Sequence, residues 1–225
     1  MKGNGLNFLI SIIIPTVILM KFSSPGTLGP KYGFCLALFF PLVYTFFDLV
    51  KEKKLNFISI LGFVSILLTG SIGLLKMSPM ILALKEALIP FIIACVILCT
   101  INSKYIALRF LFDQIIDLDK VEKVLVKRNV PSAYNNICKS HTFYLSISFF
   151  LSSILNFILA RMIVRSPGGT TAFAEELGKM TALSYFVIAL PSTIILALIF
   201  WRVLKQLSKE CQLSYEELLM QPQNK

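Results

Sequence analysis

The sequence predicts an all-α polytopic membrane protein with about six transmembrane helices, arranged as three helical hairpins with one amphipathic cytoplasmic connector. The chain has 225 residues, of which 56% are hydrophobic and only 15% are charged. A soluble domain of this length carries more charge and shorter apolar runs. The apolar residues here form blocks of about 17 to 22 positions, the length with which a helix crosses a hydrocarbon core of about 30 Å.

Six such blocks, called spans 1 to 6, follow one another along the chain. They are longer than the strands of a membrane barrel, in which apolar and polar residues alternate. Residues 1–225 are therefore predicted to form a single transmembrane helical domain. The spans cover Leu6–Phe22, Tyr32–Val50, Leu55–Leu75, Met80–Ile101, Phe143–Val164 and Thr181–Trp201.

Span 1 has a second interpretation as a cleaved signal peptide, because Lys2 precedes an apolar run of suitable character. The run continues to Lys21 and Phe22, however, and the segment SSPGTLGP follows it without an A-x-A-like cleavage site. We therefore expect span 1 to be retained as a transmembrane helix.

Lysine and arginine residues are distributed unevenly over the two sides of the predicted membrane domain. With six spans, 15 of them fall on the side of the two termini and 7 fall on the opposite side. The positive-inside rule then places both termini in the cytoplasm. The net charge of +10 indicates attraction to an anionic inner leaflet rather than to nucleic acid.

The connector, residues 102–141, is the longest predicted cytoplasmic segment. Its apolar residues recur at helical spacing with charged residues between them, which predicts an amphipathic helix that lies on the membrane surface and ends at Pro131. A cytoplasmic extension of span 4 is the alternative. The apolar positions are Leu108, Leu111, Ile115 and Leu118.

The C-terminal tail, residues 202–225, contains Ser214 three positions before Glu217. This is the pattern of a capping box, so it predicts the start of a short cytoplasmic helix. Such a helix is either simply solvated or serves as a docking surface for a partner.

Spans 2, 4 and 6 share a weak internal repeat. Each has one lysine at its start and one proline further in, as three hairpins that leave and re-enter the cytoplasmic side would produce. The lysines are Lys31, Lys85 and Lys179, and the prolines are Pro41, Pro90 and Pro191.

The order of elements resembles the bacterial intracellular septation protein A family over about residues 30–205. The similarity runs from KEKKLNFISILGFVSILLTGSIGLL through ALKEALIPFIIA and FFLSSILNFILA to ELGKMTALSYF. Lys85 opens span 4, Asn156 lies in a Leu-Asn-Phe context in span 5, and Lys179 opens span 6. The resemblance implies a bacterial inner-membrane protein tied to cell-envelope maintenance and septation.

This chain also departs from that family pattern. It carries an additional first span, Glu86 directly beside Lys85, and an outer loop with the sequence SPGG followed by the pair Glu175 and Glu176. A related branch of such proteins is labelled as transporters. Small-solute transport therefore stays open as a function.

Five polar residues form the candidate site near the outer ends of the spans. If the hairpins share an axis, these groups converge and bind a phosphate or another anionic headgroup. In the alternative, each lysine anchors its own helix by extending its stem to the headgroup level, with Glu86 and Glu175 as local partners. The candidate ligand-binding residues are Lys31, Lys85, Asn156, Arg161 and Lys179.

Nothing in the sequence indicates catalysis. His141 is the only histidine, and no P-loop, G-x-S-x-G or H-E-x-x-H motif is present. The five cysteines are not placed as disulfide pairs or zinc ligands. We therefore expect a non-enzymatic protein with no metal and no cofactor.

Three functions follow from these observations. The first is the binding or movement of an anionic lipid or a lipid-linked precursor by the membrane domain. The second is a membrane scaffold that recruits division or envelope-synthesis proteins. The third is a small-solute transporter, which the scarcity of acidic residues in the spans disfavours. The sequence does not specify the oligomeric state.

Overall fold

A computed structural model of the chain describes residues 13–24, 26–52, 57–103, 106–113 and 115–219. Every regular element in these ranges is helical. In chain order the helices are α1 Ile14–Lys21, α2 Gly29–Glu52, α3 Phe57–Leu74, α4 Pro79–Thr100, α5 Ala107–Phe112, α6 Leu118–Lys127, α7 Ala133–Ile163, α8 Thr171–Ser184, α9 Leu190–Cys211 and α10 Tyr215–Leu218.

Three helical runs in the described part of the chain are long and apolar enough to cross a membrane. They are α4, α7 and the run Thr171–Cys211, and they coincide with spans 4, 5 and 6. Shorter apolar stretches, Gly29–Val43 and Phe63–Leu74, overlap spans 2 and 3. Most of span 1 lies outside the described residues. The chain is thus an all-helical membrane protein.

One wide turn interrupts the run from Thr171 to Cys211. Tyr185–Ala189 form a π-helix between α8 and α9, and Pro191 follows within the first turn of α9. A proline has no N–H to donate and its ring displaces the carbonyl four residues before it, here that of Val187. A π turn accommodates this displacement without ending the helix.

The chain divides into two compact units, the first consisting of the residues up to Ile89 together with Ser152–Leu190. In this first unit α1 packs on α2 and α8, and its core includes Leu19, Phe34 and Phe173. Gly73 of α3 lies directly against the ring of Phe34. The absence of a side chain at Gly73 thus lets α2 and α3 approach closely at this position.

The second unit comprises Pro90–Leu151 and Pro191–Lys225. Its core joins α5, α6 and α10 to parts of α7 and α9. The members that are 0% exposed include Leu108, Val121, Leu125, Leu207 and Leu218. This core explains why α7 begins at Ala133, well before Phe143: the first turns of α7 contribute apolar contacts to it.

The prediction of one continuous surface helix in the connector is wrong. The segment forms two helices, and Asp117 caps the second by accepting a hydrogen bond from the Lys120 N–H at 3.1 Å. The predicted apolar stripe is divided as well, since Leu108 is buried whereas Leu111 and Ile115 are 44% and 41% exposed. Packing within the protein covers Leu108 and leaves Leu111 and Ile115 exposed on its surface.

The predicted capping box of the tail is confirmed. The Ser214 N–H donates to Glu217 Oε2 at 2.9 Å, and the Glu217 N–H donates to the Ser214 hydroxyl at 3.3 Å. The short helix that follows is held in the second unit, because the Asp117 N–H donates to the Leu218 carbonyl at 3.0 Å.

Replacing Gly73 with alanine tests the contact between α3 and α2. Alanine favours a helix by up to about 1 kcal/mol, but its Cβ would overlap the Phe34 ring. We expect a net loss of about 1–2 kcal/mol in the free energy of unfolding, as for other overpacked cores. Thermal unfolding in detergent measures it. Ser71→Ala, at an exposed position of the same helix, should be neutral, and equal effects of the two changes would contradict the assigned packing.

The docking of α10 should depend on pH. Hydrogen bonds from the Ser214 backbone and hydroxyl, together with Lys120, hold the pKa of Glu217 below its usual range. The stabilisation is complete above the ordinary value of about 4.3 and is lost as the pH falls through the lowered value. NMR shifts of the Leu218 methyl groups should report undocking in acid. Glu217→Gln should remove this acid transition, and an unchanged transition in that variant would assign it to another group.

Candidate functional site: a basic groove in the first unit

A groove in the first unit lies between the start of α2, the end of α3 and the start of α8. It is a small depression with room for about 60 Å³, open to the surroundings, and Lys31 and Lys76 are both among its lining residues. Both lysine side chains are exposed. The apolar part of the lining comes from Phe34, Leu74 and Phe173.

The floor of the groove follows from the packing of two aromatic rings. Phe34 and Phe173 are 3% and 1% exposed, and their ring centroids lie 5.9 Å apart at an angle of 56°. Gly73 has no side chain, so the Phe34 ring can lie against the backbone of α3. The result is a rigid apolar surface beneath the two cations.

Lys76 is positioned by the way in which α3 ends. Its φ of 54° is left-handed, and the Met77 N–H donates to the Ile72 carbonyl at 3.0 Å. This bond is that of a Schellman motif, which normally uses glycine at the left-handed position. The aliphatic stem of Lys76 lies over Gly169, where an added Cβ would come within 2.8 Å of Lys76 Cγ.

The loop before α8 forms the third wall. The Gly168 N–H donates to the Met77 carbonyl at 3.0 Å, which holds the loop against the end of α3. Thr170 caps α8, because its hydroxyl accepts a hydrogen bond from the Phe173 N–H at 3.1 Å. The N-terminus of α8, with its partial positive charge, therefore borders the groove.

No carboxylate lines the groove within the described ranges, and neither lysine forms an ion pair with a described residue. The nearby acid Glu176 is engaged elsewhere, because the N–H groups of Arg165 and Ser166 each donate to its Oε2 at 2.9 Å. The groove is consequently a site of uncompensated positive charge above an apolar floor.

Lys85 is not available as an anion ligand. It is 8% exposed, and its ammonium donates to the Thr69 hydroxyl at 2.7 Å and to Glu86 Oε1 at 2.8 Å. Its ammonium is therefore bound within the protein, and the prediction of Glu86 as its local partner is confirmed. A charge in an apolar helix is best compensated inside the protein when a carboxylate adjoins it.

The other predicted site residues occupy separate environments. Asn156 is half-buried, and its amide donates to the Ser152 carbonyl of its own helix at 2.8 Å, rather than to a neighbouring helix. Arg161 and Lys179 are exposed. Within the described ranges, no hydrogen bond or ion pair joins any two of the five predicted residues, and only Lys31 lines the groove.

Sequence reasoning missed Lys76 and the loop Gly168–Thr170 as parts of the site. The sequence SPGGT before a helical segment does signal an N-cap at Thr170. No comparable signal links Lys76 to Lys31, because a tertiary contact between α2 and α3 creates that proximity.

The described residues contain no cluster of three or more His, Cys, Asp and Glu side chains that could hold a metal ion. Comparisons with family models, with characterised proteins and with solved structures gave no match. The proposed function therefore rests on the geometry of the groove.

Removing the partner of Lys85 should be costly. Glu86→Gln leaves the buried ammonium without a counter-charge, so we expect a loss of about 3 kcal/mol in the free energy of unfolding. The double change Lys85→Met, Glu86→Gln removes the charge as well and should recover most of that loss. Equilibrium unfolding in detergent measures both, with Glu175→Gln as a neutral control. A double variant no more stable than Glu86→Gln would show that the pair is not coupled.

Proposed function

We propose that this chain is a non-enzymatic, multi-pass protein of the bacterial inner membrane and cell envelope, which binds or helps to move an anionic lipid or a lipid-linked precursor. The observation that supports this function is the groove that holds Lys31 and Lys76 above the floor of Phe34 and Phe173. Its chemistry matches an anionic headgroup attached to an apolar body.

The two lysines suit a phosphate because ammonium groups make strong, charge-assisted hydrogen bonds to its oxygens. The adjacent N-terminus of α8 adds to the positive potential, as helix N-termini do at many phosphate sites. Leu74 is 45% exposed and extends the apolar surface at the groove. A glycerol backbone or the first methylenes of an acyl chain fit against such a surface.

The membrane orientation belongs to the same proposal. Six spans in three hairpins, with both termini in the cytoplasm, would place Lys31 and Lys76 on the outer side. The groove would then bind a lipid of the outer leaflet of the inner membrane. This location agrees with a role in envelope maintenance, as the resemblance to the septation protein A family implies.

Small-solute transport is the second candidate, because Lys85 and Glu86 form a buried ion pair inside α4. Charged pairs within membrane helices often mark ion and solute pathways. The scaffold function has less support, since the described part of the tail is packed in the second unit and Leu218 is 0% exposed.

Native mass spectrometry of the protein in mild detergent tests lipid binding, with phosphatidylglycerol as the anionic probe and phosphatidylcholine as the neutral one. The double variant Lys31→Gln, Lys76→Gln should bind phosphatidylglycerol about tenfold more weakly. Phosphatidylcholine binding should not change.

The matched control is Arg161→Gln, Lys179→Gln, which removes two exposed cations that do not line the groove. It should retain wild-type binding of phosphatidylglycerol. An equal loss of phosphatidylglycerol binding in the two double variants would show that the effect depends only on net charge. A wild-type protein that binds phosphatidylglycerol no more tightly than phosphatidylcholine would refute the proposal.

A further inference from the structure

The short helix α5 of the second unit has apolar residues on nearly all of its sides. Its sequence is ALRFLF, in which Arg109 is the one charged residue. Leu108 and Phe112 are 0% and 2% exposed and belong to the core of the second unit. Phe110 and Leu111, on other sides of the helix, are 71% and 44% exposed. A helix that is apolar all round is normally covered all round, so these exposed residues indicate a further contact.

The start of α5 is fixed at the end of a membrane-spanning helix. The Ala107 N–H donates to the Thr100 hydroxyl at 3.0 Å, and Thr100 is the last residue of α4. The polar residues Asn102 and Ser103 follow shortly after it, so the apolar run ends here. Helix α5 therefore begins at the level at which α4 leaves the apolar region.

The end of α5 is fixed at a similar boundary on α9. The Phe112 ring stacks on that of Phe200, with centroids 5.0 Å apart and an angle of 19° between the planes. Trp201 and the first charged residue of α9, Arg202, directly follow Phe200. Tryptophan is enriched where membrane helices meet the headgroups. Both ends of α5 are therefore held at the level at which a span ends.

Exposed cations at this level match the charge of an anionic headgroup region. Arg202 and Lys205 are exposed, and no carboxylate of a described residue forms an ion pair with either of them. In contrast, Arg109 is paired within the protein, because it lies 3.5 Å from an Asp113 oxygen and 3.3 Å from a Glu122 oxygen. Apolar side chains together with such cations are typical of a helix at a membrane interface.

We propose that α5 is an interfacial anchor, which inserts Phe110 and Leu111 into the leaflet at this end of α4 and α9. Ile115 is 41% exposed, lies four positions after Leu111 and extends the inserted surface. Arg202 and Lys205 contact the anionic headgroups. Lipid is favoured over a protein partner because it already surrounds each membrane-spanning helix at its boundary. In the orientation proposed above, this is the cytoplasmic leaflet.

Tryptophan fluorescence in lipid vesicles tests the position of α5, because Trp201 is the single tryptophan of the chain. The wild type reports on the end of the span. The variant Trp201→Phe, Phe110→Trp moves the reporter to α5. The variant Trp201→Phe, Lys209→Trp moves it to an exposed position about 12 Å further along α9. Each full-length protein is reconstituted with phosphatidylglycerol that is brominated near the carboxyl end of its acyl chains.

We expect the brominated lipid to quench the reporter at position 110 as strongly as it quenches the wild type, and to quench the reporter at position 209 much less. Iodide in the water should quench the reporters in the opposite order. Thermal unfolding checks that each variant folds. Adding Lys31→Gln and Lys76→Gln to the Phe110→Trp protein should not change the lipid quenching, so the failure of this anchor and that of the proposed groove are distinguishable.

The headgroup contact is tested in mixed vesicles in which either phosphatidylglycerol or phosphatidylcholine carries the bromine. Brominated phosphatidylglycerol should quench Trp201 more strongly, because the nearby cations attract anionic lipid. The variant Arg202→Gln, Lys205→Gln should lose this difference. The matched control Lys123→Gln, Lys127→Gln, which removes two exposed cations of α6, should keep it.

Two outcomes would overturn the anchor: a reporter at position 110 that the brominated lipid does not quench, or one that iodide quenches as strongly as the reporter at position 209. Protection from both quenchers would show that a protein, such as a second copy of this chain, covers α5 instead of lipid. An equal loss of the preference for phosphatidylglycerol in the two double variants would refute the headgroup contact.

Discussion

The structure depends on one constraint, that polar groups in apolar helices must find their partners within the protein, because hydrocarbon offers none. In the first unit the Lys85 ammonium is bound by Thr69 and Glu86, and Ser153 donates to the Ala87 carbonyl at 2.7 Å. Each of these bonds joins α4 to a neighbouring helix or compensates its charge. The bonds of Thr69 and Ser153 thereby hold α3 and α7 at defined positions against α4.

The same constraint explains which predictions succeeded. Composition and the length of the apolar runs predicted a helical membrane protein, because both follow directly from the solvent that surrounds the chain. The capping box at Ser214 was also predictable, since only local residues form it. The burial of Lys85 was not predictable from the sequence, because it depends on the approach of Thr69, which lies sixteen residues away.

The candidate sites could be predicted only in part for a similar reason. Lys31 was recognised as an unusual cation, but its pairing with Lys76 arises where α2 meets α3 and the loop before α8. In the connector, periodicity identified apolar residues but not the side to which they turn, so Leu108 and Leu111 were grouped although only the first is buried. The local sequence pattern identifies candidate residues, whereas tertiary packing determines which of them are buried or brought together.

The wide turn at Tyr185–Ala189 has a consequence for the face that α9 presents. Relative to α-helical geometry, a π turn holds one additional residue, so every later side chain is rotated by about 100° around the helix axis. Insertion or deletion of a single residue in that turn would therefore rotate the side chains that follow it around the helix axis, although the sequence of α9 itself would be unchanged.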